Sequence, residues 1–132
     1  MEMERYKVKG KIEKGKMNLK ARIYKWVLGL VNYINTLPKD MATEVLAKQL
    51  LRSGTSVGAN YIEAQAGSSR KDFINFVHHS LKSANESKFW LALLRDTQTK
   101  DNLIITELIN ELVELSNILG ASLVTLKSKR EE

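Results

Sequence analysis

The residues in this sequence that could do chemistry are few. They are the adjacent histidines His78 and His79, the carboxylates Glu63 and Asp72, the polar pair Asn60 and Glu63, and the glycine-bearing run GTSVGAN, Gly54 to Asn60. The run resembles a phosphate-binding loop only briefly. It lacks the Gly-Lys-Ser/Thr ending, follows no strand pattern and does not fit GxGxxG. Close helix packing is the reading that remains. Adjacent helical residues point about 100° apart, so His78 and His79 cannot share a metal ion. A di-metal site in a helical bundle also needs Glu-x-x-His on facing helices. Here Glu63 is followed by Ala-Gln-Ala and Glu86 by Ser-Lys-Phe. Both histidines therefore read as partly buried or surface residues. Glu63 with Asp72 would make a carboxylate pair for acid–base work, but no cleft or third group accompanies them. No Ser/His/Asp set is brought together by helical spacing. Asn60 and Glu63 lie one turn apart, either as a polar site or, the favoured reading, as a hydrogen-bonded pair that fixes register. The expectation is a protein without catalytic residues, metal or cofactor.

The elements that would position these residues are four helices. Leu19, Ile23, Trp26, Val27, Leu30, Val31, Ile34 and Leu37 recur at three- and four-residue steps, a helix from Met17 that Leu37-Pro38-Lys39-Asp40 stops. Asp40 N-caps a second helix over 41–66, with Val45, Leu46, Gln49, Leu50, Ser53, Val57, Asn60 and Ala64 on its broad face. Gly54 and Gly58 stack on one side, a sign of close backbone approach, a bend, or a break near Gly54-Thr55. Gly67 is placed as the C′ residue that ends this helix. Ser69 and Asp72 have capping-box spacing and open a third helix. Small residues line one face of each of these two helices: Ser53, Ser56, Ala59 and Asn60 on the second, Ser80, Ser83, Ala84 and Ser87 on the third. After a polar loop, Asp96 to Asn102, a fourth helix runs from about Ile105 to Lys129. Its heptad seam is Ile105, Leu108, Leu112, Leu115, Leu119, Ser122 and Leu126. Ile109, Val113, Ile118, Leu123 and Val124 are surplus to that seam, so a second burial partner is expected, most simply another copy of the chain. Short connections make sequential neighbours antiparallel. The predicted fold is all-α, an antiparallel up-down-up-down four-helix bundle over 17–132 with a basic N-terminal arm over 1–16.

At 132 residues, 43% of them hydrophobic, the chain fits one domain with a real core. It has no cysteine, which excludes disulfides and thiolate metal sites. No apolar stretch has the length of a membrane span and no apolar run of signal-peptide length follows the N-terminus, so a cytoplasmic protein without membrane partners is expected. The formal charge of +6 is lopsided: residues 1–25 carry nine Lys/Arg against three Glu, and residues 26–132 balance to zero. A basic arm on a neutral body suits a phosphate backbone. Lys7, Lys9, Lys11, Lys14, Lys16 and Lys20 are the candidate contacts, with Arg22 beside them and Arg52, Arg70 and Lys71 as a smaller patch. Tyr6, Tyr24, Trp26 and Tyr33 accompany the arm and first helix; base stacking is conceivable, but Trp26 and Tyr33 read as core.

The central stretch also resembles the signature of the 23S rRNA intervening sequence proteins. The pieces are Leu51-Arg52-Ser53, Ser56-Val57-Gly58-Ala59-Asn60 with Glu63-Ala64, Ser69-Arg70-Lys71-Asp72-Phe73, and Glu86 with Trp90-Leu91 and Leu94. The resemblance is dense over about 46–95, and the arm lies outside it. It implies a homopentameric ring of four-helix bundles. It also implies kinship with the accessory variability determinants of diversity-generating retroelements, which work with a reverse transcriptase and nucleic acid. It brings no catalytic residues. The functional expectation is a non-enzymatic, oligomeric protein associated with nucleic acid, RNA in the first instance. The alternative is a protein–protein scaffold or accessory subunit, for example to a reverse transcriptase.

Overall fold

The structure, a computed structural model, describes residues 17–67, 69–100 and 102–131, the last three as backbone only. Among these the chain forms four α-helices and no strand: α1 Leu19–Ile34, α2 Met41–Ala66, α3 Arg70–Thr97 and α4 Leu103–Glu131. No described helix is long and apolar enough to cross a membrane.

Each helix starts on a side-chain acceptor that satisfies one of the backbone N–H groups left over at a helix N-terminus. Asn18 Oδ1 accepts from Ala21 N at 2.8 Å, and Asn102 Oδ1 from Ile104 N at 2.8 Å. Ser69 Oγ accepts from Asp72 N at 3.1 Å, the forward half of the expected capping box. Asp40 accepts from both Thr43 N and Thr43 Oγ1 at 2.9 Å. Those two bonds, the backbone one foremost, hold the Asp40 carboxyl below its usual range.

Two expectations need correction. The first helix ends at Ile34 rather than Leu37, because Thr36 N and Leu37 N turn back to Tyr33 O and Ile34 O at 3.0 and 3.1 Å before Pro38. Of the three alternatives at Gly54 and Gly58, close approach to a neighbouring helix is the one observed, and the second helix runs unbroken through Gly54-Thr55. Gly67 is not a left-handed C′ glycine: its φ is −60° and its ψ 142°. A Cβ there would fit tightly, 3.2 Å from Ala64 O and 3.3 Å from Asp72 Cβ.

The core follows the helical periods with a few displacements. All five apolar positions of the α4 seam from Ile105 to Leu119 are buried. Trp26, Leu30, Leu50, Val57, Leu91 and Leu94 close the main cluster around the first four of them. A second cluster sits where α1 begins, with Ala64, Ile74, Val77, Leu119 and Leu123 packed by Leu19, Tyr61, Phe73 and Leu126. On α2 the buried line runs through Thr43, Ala47 and Leu50, so Val45, placed inward by the sequence, is 54% exposed. Ala59, placed in the small-residue stripe, is also exposed.

Residue numbers rise on one helix as they fall on its partner. Trp26 meets Leu108 while Arg22 meets Glu111, and Ser53 meets Ser87 while Val57 meets Ser80. α2 has small residues toward two neighbours. Its serine side faces α3. Its glycines face α1, where a Cβ on Gly58 would lie 3.5 Å from Val27 and one on Gly54 would collide with Leu30.

Candidate nucleic-acid interface

The polar residues of the central stretch are used first for packing. Ser53 Oγ and Ser87 Oγ lie 2.7 Å apart, and Ser80 Oγ donates to the carbonyl of Val57 at 2.8 Å. A serine hydroxyl reaches the backbone of a neighbouring helix only when the two helices are close. At the rim, Glu86 accepts from Trp90 Nε1 at 2.9 Å and pairs with the Arg52 guanidinium, which also donates to Gln49 Oε1 at 3.1 Å. The Trp90 bond first, and Arg52 after it, hold the Glu86 carboxyl below its ordinary range. The sequence marks Arg52, Glu86 and Trp90 separately, and 34 residues separate the first two. Only the pairing of α2 with α3 makes them one unit.

Asn60 and Glu63 do not form the expected pair. Asn60 Nδ2 donates to Ser56 O of its own helix at 2.9 Å, and Glu63 points into solvent. Asn60 does line an open hollow of about 510 Å³ with Phe76, His79, Lys82, Ser83 and Glu86. His78 and His79 are both exposed, their ring centroids 6.5 Å apart. Among the described residues no three His, Cys, Asp or Glu side chains could hold a metal ion together.

The basic candidates separate into distinct sets. Lys7, Lys9, Lys11, Lys14 and Lys16 lie outside the described residues. Arg22 is turned onto α4: its Nε and one terminal nitrogen donate to Glu111 at 3.2 and 2.8 Å, and Glu114 stands 3.7 Å away. The Glu111 hydrogen bond raises its pKa further, against the opposing effect of burial. A guanidinium held in such a fork is an internal tie rather than a phosphate contact. Arg52 is engaged with Glu86, and Arg70 donates to Leu126 O of α4 at 3.1 Å. Lys71 is exposed and Lys20 half-buried.

Position brings part of the set together. Leu19 and Leu126 pack in one cluster, and Arg70 bonds to Leu126. The start of α1, the α2–α3 turn and the last turns of α4 therefore share one end of the bundle. Lys20, Arg70 and Lys71 sit there with Lys127, which the sequence pattern did not single out for binding. The arm joins at this same end. Arg52 does not belong to it.

The candidate oligomer contacts also divide. Leu123 is buried in the second cluster and is withdrawn from the outward set. Ile109 packs on the main core, and Ile118 lines a groove with Tyr61 and Phe73. Val113 and Val124 are 40% and 70% exposed, and a Cβ on Gly120 between them would meet nothing within 4 Å.

Comparison with known proteins finds a matching family and similar solved structures. The family described as 23S rRNA-intervening sequence protein matches residues 15–121. A crystal structure of a protein of unknown function from the S23 ribosomal protein family, from Bacteroides thetaiotaomicron, superposes with a TM-score of 0.73 at 34% identity. The match covers 80% of this chain and 98% of that one. No curated protein matches the chain.

Proposed function

This chain belongs to the 23S rRNA-intervening sequence protein family, and on that footing we propose that it is a non-enzymatic, oligomeric nucleic-acid-associated protein that binds RNA through its basic arm. The observation that carries the reading is the placement of charge. The whole formal excess of +6 lies in residues 1–25, and the arm joins the bundle beside Arg70, Lys71 and Lys127. The cross-helix contacts support an antiparallel up-down bundle. In a ring of five, as the family resemblance implies, five copies at +6 gather about +30. Lys7, Lys9, Lys11, Lys14, Lys16 and Lys20 contact phosphates and read no bases.

Deleting residues 1–16 tests this. RNA affinity falls, and the plot of log K against log salt flattens by roughly 0.7–0.9 for each phosphate that the shortened chain no longer neutralises. An unchanged slope in the shortened protein refutes the assignment.

A second reading, a protein–protein scaffold or accessory subunit to a partner such as a reverse transcriptase, is favoured by the exposed Val113 and Val124. Gly120 reports on what covers that face. Gly120→Ala fits open space and removes a helix-weakening glycine, so it stabilises the isolated chain by about 1 kcal/mol. If a second chain packs there closely, the same change lowers the mass of the assembly measured by light scattering. An unchanged mass places the oligomer contact elsewhere.

A further inference from the structure

An apolar groove opens at the end of the bundle where Arg70, Lys71 and Lys127 gather. It holds about 500 Å³, and all four helices line it, with Leu19 of α1, Tyr61 of α2, Phe73 of α3 and Ile118, Ala121 and Leu126 of α4. Tyr61, Phe73 and Leu126 are only half-buried by the second cluster, and Ala121 is exposed. No described residue that lines the groove is acidic. Its rim is cationic. Arg70 donates to Leu126 O at 3.1 Å, which places its guanidinium at the edge with its charge intact. Lys71 lies two residues before Phe73, Lys127 directly follows Leu126, and both are exposed.

We propose that this groove takes an unpaired RNA base whose flanking phosphates meet Arg70, Lys71 and Lys127. This contact rests on the RNA-binding reading above and adds to it a site on the bundle itself. Charge complementarity selects the occupant. A nucleotide joins a flat body with a π-face to an anion, and the groove joins two aromatic side chains and an apolar floor to three cations. The chain's own basic arm would meet like charges at that rim. Stacking on Tyr61 or Phe73 asks for no particular base, so the groove distinguishes single strand from duplex rather than one sequence from another. In a duplex the bases are already paired and stacked, and none is free to enter.

Tyr61 and Phe73 are not the aromatics that the sequence set beside the basic arm. Twelve positions apart on α2 and α3, they share a groove only because those helices pack together.

The experiment uses the full chain and a single-stranded oligouridine that contains 4-thiouridine. The complex is irradiated, digested and read by peptide mass spectrometry. The expected cross-links include Tyr61 or Phe73, and they disappear when the same strand is annealed to oligoadenylate. Cross-links confined to residues 1–16, or groove cross-links that persist in the duplex, overturn the proposal. Ala121→Leu fills the groove from an exposed position and leaves every cation in place. It lowers affinity for the single strand roughly tenfold, with the salt slope and the duplex affinity unchanged. Undiminished single-strand affinity, or an equal loss for both RNAs, overturns the proposal. A fall in the mass of the assembly on the same change gives the groove to a second copy and overturns it too. A chain that binds neither RNA refutes the RNA-binding reading and this site with it. A chain that binds both alike, with a salt slope that flattens when residues 1–16 are deleted, refutes the groove alone.

Discussion

Gly54→Val destabilises the bundle by about 3 kcal/mol, the upper part of the range for overpacking a filled core. Any Cβ at position 54 would collide with Leu30 Cδ2 and stand 3.5 Å from the Trp26 ring. Leu30 is fully buried, so its methyl group must shift within the core rather than into solvent. The relief from losing a helical glycine, at most about 1 kcal/mol, does not offset this. Gly54→Ala separates the two effects: it gains nearly all of the propensity and meets the same atom, so it comes out neutral or destabilising. Gly120→Ala, with the same propensity gain and nothing nearby, is the control. In thermal melts Gly54→Val lowers Tm by on the order of 10 °C. A loss of less than a third of that would show that α1 can move away from α2 at little cost.

Trp26→Ala costs about 4 kcal/mol, in the range for emptying a buried aromatic site. Trp26 is 3% exposed, and its indole N–H donates to Leu108 O at 2.9 Å. It is thus both the largest core side chain of α1 and a tie to α4. Trp26→Phe keeps most of the packing and removes the donor, and costs about 1–2 kcal/mol. The larger substitution also changes where the bundle opens. With Trp26 gone, Arg22 to Glu111 and Glu114 is the remaining described polar tie between these helices. Hydrogen exchange of α1 amides then accelerates more than that of α3 amides. Uniform acceleration over all four helices would mean that α1 does not open separately.

The helices were legible because apolar spacing and capping residues act locally. Asp40, Ser69 and the Ile105-to-Leu126 seam need only their near neighbours to be read. What escaped the sequence depends on rotation of a helix or on distant partners. Val45 is as apolar as Leu46, and only the closeness of α3 to Ser53 and Val57 turns Val45 outward. Leu123 was surplus to a straight heptad, but the second cluster wraps far enough around α4 to bury it. The cationic side chains were legible as charges and not as contacts. Nothing in the spacing of Arg22 shows that a carboxylate 89 residues away will claim it, or that Arg52 will be held by Glu86. Asn60 and Glu63 share one side of a helical wheel, yet Asn60 finds a closer acceptor in Ser56 O.

The side-chain caps at the start of all four helices have an electrostatic consequence. Leu19, Ala64, Phe73 and Leu126 pack in one cluster, so the starts of α1 and α3 lie beside the finishes of α2 and α4. Each helix start carries about half a positive charge and each finish about half a negative one. Two of each at one end cancel to first order, and the side-chain acceptors at Asn18 and Ser69 draw down what remains of the positive pair. The backbone therefore contributes little net potential where the arm attaches. The field there is set by individual cations such as Lys20, Arg70, Lys71 and Lys127, and can be adjusted one charge at a time without altering a helix.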